Sequence, residues 1–272
     1  MTTFSLLATG WEIEPTIVAG CAGLIVGYGL LVRGRPSRRG WLWGFGVLAL
    51  AVALLSPLDA LADQVSLAAH MIQHLLLMLV AAPLLVAGAP ERPLRKLLER
   101  PWAHAIERRL GRPAVAWTIG TATLLFWHVP TLYDAALRSE PLHALEHLCL
   151  ITSSAIFFWP VLGPLEERRA APLVVVGYLL SAAFAGSILG LLITFAPVGV
   201  YAFYRAPTAA PGLLQLVRKG WGLTPAFDQQ LGGTLMWTAG GPLYLGLALA
   251  AFARFYREAK EDPLAGERGR AG

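Results

Sequence analysis

Charge is scarce in this 272-residue chain. Only 14% of its residues are Asp, Glu, Lys or Arg, whereas 56% are hydrophobic and the mean hydropathy is +0.57. A soluble domain of ordinary make-up carries roughly a quarter charged residues, so a soluble fold is excluded and a polytopic membrane protein is expected. Cysteine is almost absent. Cys21 and Cys149 stand alone in apolar runs with no CxxC pair, and they read as small buried hydrophobes. No Lys or Arg precedes Arg33, so the first apolar run lacks the basic leader of a removable signal peptide. A large basic domain is missing too. The pI near 9.5 comes from residues in short loops between apolar runs. Nucleic acid is therefore not an expected partner, and the positive charge serves membrane topology.

Long apolar runs are abundant. Seven approach or exceed the ~20 residues that cross a bilayer, at about 13–32, 41–57, 66–89, 113–130, 142–162, 172–196 and 231–253. The expected fold class is all-α, a single seven-helix transmembrane domain over 1–256 with a polar tail from 257 to 272. Eighteen of the 22 basic residues fall on one side of this pattern, leaving Arg138, Arg205, Arg218 and Lys219 on the other. The positive-inside rule then sets the N-terminus outside and the C-terminus in the cytoplasm. Pro113 and Pro172 suit first helical turns, and Thr224-Pro225 reads as a cap followed by a first-turn proline. Gly23/Gly27 and Gly186/Gly190, spaced by four, are expected to allow close helix contact. The aromatic, Pro- and Gly-rich segment 197–230 is expected outside, as a partial lid or partner surface.

On this topology five of the six histidines reach one level. His70 and His74 open the third span, His128 closes the fourth in "FWHVP", and His143 and His147 open the fifth in "HALEH". Both pairs have i, i+4 spacing, which puts two rings on one helix face about 6 Å apart along the axis. Imidazole suits copper, zinc, iron and nickel. The same level holds Asp59, Asp63, Asp134, Glu146, Asp228, Gln229 and Met236. Carboxylates there could orient ligand imidazoles, and a methionine sulfur would favour Cu(I). His70, His74, His128, His143, His147, Asp228 and Met236 are the expected metal ligands, supported by Glu146, Asp134, Asp63 and Gln229. Each residue also has a plainer role. An HxxxH pair can hydrogen-bond between helices, His128 can be an interfacial histidine, Glu146 can pair with Arg138, and Met71, Met78 and Met236 can simply pack. Convergence of three independent segments favours the metal, because ionisable groups within spans are costly and usually functional. His104, in the basic loop, is expected to be solvated only.

Four stretches together resemble the signatures of the multi-span bacterial CtaG family of cytochrome c oxidase assembly proteins. They are "HMIQHLLLMLVAAPLLVAGAP" (70–90), "LLFWHVPTLYDAAL", "LHALEHLCLITSSAIFFWPVL" and "FDQQLGGTLMWTAGG" (227–241), in family order over spans three, four, five and seven. The resemblance implies a multi-pass protein of the bacterial inner membrane that matures a haem-copper oxidase and is not an enzyme. It implies a copper role, with oxidase subunits and periplasmic copper chaperones as partners. From the residues, the leading reading is a metallochaperone holding copper at the outer face, since the inner halves of the spans are apolar and argue against a channel. Two alternatives stay open. One is a seven-span zinc hydrolase, with Ser66 near His70 and zinc activating water. The other is a haem b cytochrome with histidine axial ligands.

Overall fold

The computed structural model describes residues 1–11, 13–33 and 37–261, and among these it is helical with no strand. Residues 262–272 of the expected tail, together with Arg35, lie outside the described residues, and 257–261 simply continue the last helix. In chain order the helices are α1 (Thr3–Thr9), α2 (Pro15–Val32), α3 (Arg38–Leu55), α4 (Pro57–Gln64) and α5 (Leu67–Gly88). Then come α6 (Glu91–Leu98), α7 (Pro101–Leu110), α8 (Pro113–Trp127), α9 (Pro130–Leu137) and α10 (Glu140–Leu162). The series ends with α11 (Pro172–Phe195), α12 (Pro211–Gln215), α13 (Pro225–Thr238) and α14 (Gly240–Glu261).

Local chemistry sets these boundaries. Proline occupies the first turn of α2, α4, α8, α9, α11 and α13, where its missing N–H costs nothing. Ser37, Ser56, Ser66 and Thr224 are N-caps whose hydroxyls accept backbone N–H groups of the first turn. Inside α5, residues Leu76–Ala81 take a π turn, with the Ala82 N–H bonded to the Leu77 carbonyl. Pro83 follows at once and has no N–H to give, so the hydrogen-bond register slips by one residue just before it.

Among the described residues, six helical stretches are long and apolar enough to cross a membrane by length and composition, the last being α13 and α14 run end to end over Pro225–Lys260. The expected fourth span is different. α8 has 15 residues, a rise of about 22 Å against a hydrocarbon core of about 30 Å. It stops because His128 leaves helical geometry and Pro130 then starts α9.

α5 is the central helix, more than half buried, and packs on α3, α4, α10 and α13. The loops sort to two ends. At one, Arg39 reaches Glu91 (3.4 Å) and the Pro164 carbonyl (3.1 Å), Arg95 reaches Glu167 (2.6 Å), Arg168 pairs with Glu107, and Arg254 donates to the Ala170 carbonyl (3.0 Å). At the other, Trp221 donates to Thr3 (3.0 Å), Arg218 to the Val65 carbonyl (2.8 Å), and Tyr204 to the Ala62 carbonyl (2.7 Å). Of the four glycines expected to make helix contacts, only Gly190 does so. A methyl group built on Gly23, Gly27 or Gly186 meets nothing within 4 Å, so these face outward. Close approach happens instead between α11 and α13. There a Cβ on Gly190 would lie 2.5 Å from the Trp237 nitrogen, and one on Gly233 would lie 2.8 Å from the Gly190 carbonyl oxygen.

Candidate metal centre

The first two turns of α5 and of α10 lie side by side, and the end of α8 meets them. His70 and His74 have ring centroids 4.3 Å apart, His143 and His147 4.2 Å, and His70 and His143 5.2 Å. His74 lies 5.7 Å from His147 and 5.4 Å from His128. All five expected histidines therefore form one group. His70 and His74 are wholly buried, and His128 is nearly so.

The hydrogen bonds decide which nitrogen each ring offers. A carbonyl only accepts, so His128 Nδ1, 2.8 Å from the Leu124 oxygen, carries the proton and its Nε2 bears the lone pair. The Tyr204 hydroxyl gives its one proton to the Ala62 carbonyl, so it accepts from His70 Nδ1 at 3.2 Å. His70 Nε2 is then a lone pair, accepting at 2.8 Å from His74 Nε2. His143 Nδ1 faces Asp63 Oδ2 at 3.3 Å. While His143 Nδ1 meets a carboxylate of its own ligand set, His128 and His70 thus have one nitrogen anchored on an oxygen and the other turned into the group. That is the usual orientation of metal-bound histidine, fixed from outside by an acceptor.

The inward atoms lack partners. His128 Nε2, His143 Nε2, His147 Nε2, His74 Nδ1 and both Glu146 oxygens are buried without a hydrogen bond. Glu146 is fully buried, with Oε1 3.6 Å from His74 Nε2. Unpaired polar atoms cost about 1–3 kcal/mol each when buried, so a cluster of them marks a place built for something else. Two sets bring their ligand atoms within 4.8 Å of one another: His70, His74 and His147, and Asp63, His70 and His143. Neutral imidazoles and a carboxylate form a donor set for a borderline transition metal.

The remaining expected residues sit elsewhere. Asp228 accepts from Ser66 Oγ (2.7 Å) and from the Ala68 (3.1 Å) and Leu67 (3.2 Å) amides, and it faces Arg218 at 3.3 Å. Both of its oxygens cap the start of α5. It belongs to neither ligand set. Gln229 accepts from Gly199 N (2.7 Å) and donates to the Ala196 carbonyl (3.0 Å). Asp134 accepts from the amides of Ala202 and Phe203, both at 2.9 Å. These two hold the segment around 197–205 and orient no imidazole. Met236 packs in the apolar cluster with Leu67, Met71 and Tyr133. Arg138 lies over the Phe203 ring instead of pairing with Glu146.

Sequence reasoning missed the tyrosines. Tyr133 packs 5.0 Å from His70, Tyr201 stacks 4.1 Å from Tyr133 and donates to the His128 carbonyl, and Tyr204 anchors His70. Only Tyr133 stood inside a noted motif. Gln73 also escaped notice. From between the two α5 histidines it donates to the Ala53 carbonyl (3.0 Å) and to Asp59 (2.5 Å), tying α5 to the segment that carries Asp63.

The sequence profile described as cytochrome c oxidase caa3 assembly factor (Caa3_CtaG) matches residues 24–258. The chain belongs to this family. The match spans every residue of the histidine group and most of the chain, in agreement with the resemblance seen in the four stretches. No curated protein and no solved structure matches the chain. As a member of the family the protein is an oxidase assembly factor, and its apolar helices suit a membrane protein.

Proposed function

We propose that this assembly factor binds one copper ion among His70, His74, His128, His143 and His147 and supplies it to the copper centres of the oxidase. The supporting observation is the set of inward-facing lone pairs and carboxylate oxygens that have no protein partner, with the opposite nitrogens of His128 and His70 anchored from behind. Copper is cargo here, so the protein's task is to hold it, keep water away and release it. No catalytic step is assigned. Ser66, which a zinc hydrolase would need free, is bound to Asp228. Rings packed 4.2–5.7 Å apart suit a single ion better than a macrocycle.

The topology proposed with this function is seven spans in a bacterial inner membrane. α8 runs from the basic end, at Arg112, to the histidine end, at His128, and the bilayer thins around it. The basic end faces the cytoplasm by the positive-inside rule, which puts the histidines and the N-terminus outside. Oxidase subunits and periplasmic copper carriers then reach the same face.

Metal analysis of the purified protein tests this. Wild type is expected to retain close to one equivalent of copper. His74→Ala and His147→Ala should lose it and leave the oxidase without copper, and His104→Ala should change neither. Full copper and full oxidase maturation in the first two variants would sink the proposal.

A further inference from the structure

The donor group runs from a mouth at Asp63 and His143 to a closed interior at His70, His74 and Glu146, with His147 partly buried like His143. Asp63, on α4, is about one-third exposed, and the His143 side chain is 12% exposed, whereas His70, His74 and Glu146 are closed to solvent. Asp63 Oδ1 and His143 Nε2 are themselves buried atoms without a partner. The outer set therefore carries unpaired donor atoms of its own, apart from those of the inner one. His70 belongs to both sets.

We infer that the two sets are successive stations for one ion: Asp63 and His143 admit it, and His70 hands it inward to His74 and His147. The inference rests on the reading of the group as a copper site. His70 Nδ1 is held by Tyr204, so Nε2 is the only nitrogen it can give to a metal. One lone pair serves one ion, and the stations cannot both be full. The first contact of an ion with His70 Nε2 breaks the 2.8 Å hydrogen bond from His74. That frees the His74 ring to turn its lone pair, at the unpartnered Nδ1, to the ion while Nε2 keeps its proton. Transfer is ligand exchange alone. The bonds to Asp63 and His143 break as those to His74 and His147 form, and the ion keeps its charge. Asp63 is the only carboxylate of the two sets, and its role is attraction: a negative group at a cleft mouth raises the local cation concentration and the on-rate, commonly by roughly 10–1,000-fold. At the inner station Glu146 supplies the compensating charge, 3.6 Å from His74.

The test is Cu(I) transfer from a chromogenic chelator to purified full-length protein, followed by stopped-flow absorbance. Wild type should take one equivalent. Asp63→Asn should take it at least about tenfold more slowly, with size-exclusion profile and helical circular dichroism as in wild type. His147→Ala should keep a fast initial uptake but hold the ion weakly, because the outer station remains. Uptake by Asp63→Asn at the wild-type rate, two equivalents bound at once by wild type, or loss of the fast phase in His147→Ala would each overturn the relay while leaving a copper site in place. Failure of wild type to take Cu(I) at all would remove the underlying reading, and the relay with it.

Discussion

His70 puts its two nitrogens to different uses, and a phenol decides which. Tyr204→Phe removes the acceptor for Nδ1–H without changing ring volume, leaving the imidazole free to rotate and change tautomer. Loss of such an outer partner commonly weakens metal binding about 10–100-fold, and a copper competition titration is expected to show a fall of that size. Asp228→Ala should act oppositely, on stability alone. It deletes the acceptor of the Leu67 and Ala68 amides at the start of α5 and leaves Arg218, only 16% exposed, without its carboxylate. The expected cost is about 3 kcal/mol, seen as a lower thermal midpoint in detergent, with copper per folded molecule unchanged. Loss of copper from protein that is still folded would instead return Asp228 to the ligands. The two residues illustrate what was legible. Histidines at i, i+4 announce a shared face, because helix geometry links neighbours in sequence. The partners of Asp228, Gln229 and Asp134 lie up to 162 residues away, and no local pattern distinguishes a carboxylate that caps a helix from one that orients an imidazole.

At the scale of elements, proline and capping residues made three helix starts readable, at Pro113, Pro172 and Thr224-Pro225, since they act within one turn. Glycine spacing did not. Gly23/Gly27 and Gly186/Gly190 have the same spacing, yet of these four only Gly190 has a backbone pressed against it. Whether a small residue meets a neighbour depends on which face the bundle covers. Gly190→Leu or Gly233→Leu should therefore separate α11 from α13 and cost roughly 3 kcal/mol or more by overpacking, with a sharp loss of folded yield. Gly23→Leu and Gly27→Leu should fold at wild-type yield. The reverse ranking would show that α2 has a packed face. The fourth apolar run already read as short, and only the end of α8 was hidden, because an apolar count runs on through His128 where the helix itself turns aside.

For the whole molecule, the separation of basic loops from histidines predicts sidedness. In a background lacking Cys21 and Cys149, a cysteine at Val198 should react with an impermeant reagent applied to intact cells, and one at Arg108 only after lysis. The opposite pattern would place the histidine group on the cytoplasmic side and end the case for delivery outside. This two-ended arrangement was readable from charge alone, since the positive-inside bias acts on whole loops and needs no knowledge of packing.

The bond between Ser66 and Asp228 also has a meaning in time. At synthesis rates of about 5–20 residues per second, the 162 residues between them take roughly 10–30 s to appear. Until then the Leu67 and Ala68 amides at the start of α5 lack their carboxylate acceptor, and before residue 204 arrives His70 has no phenol to lean on. The nascent chain thus displays its histidines well before it can orient them. Accurate loading belongs to the finished protein, and a chain released early would carry the motif without the site.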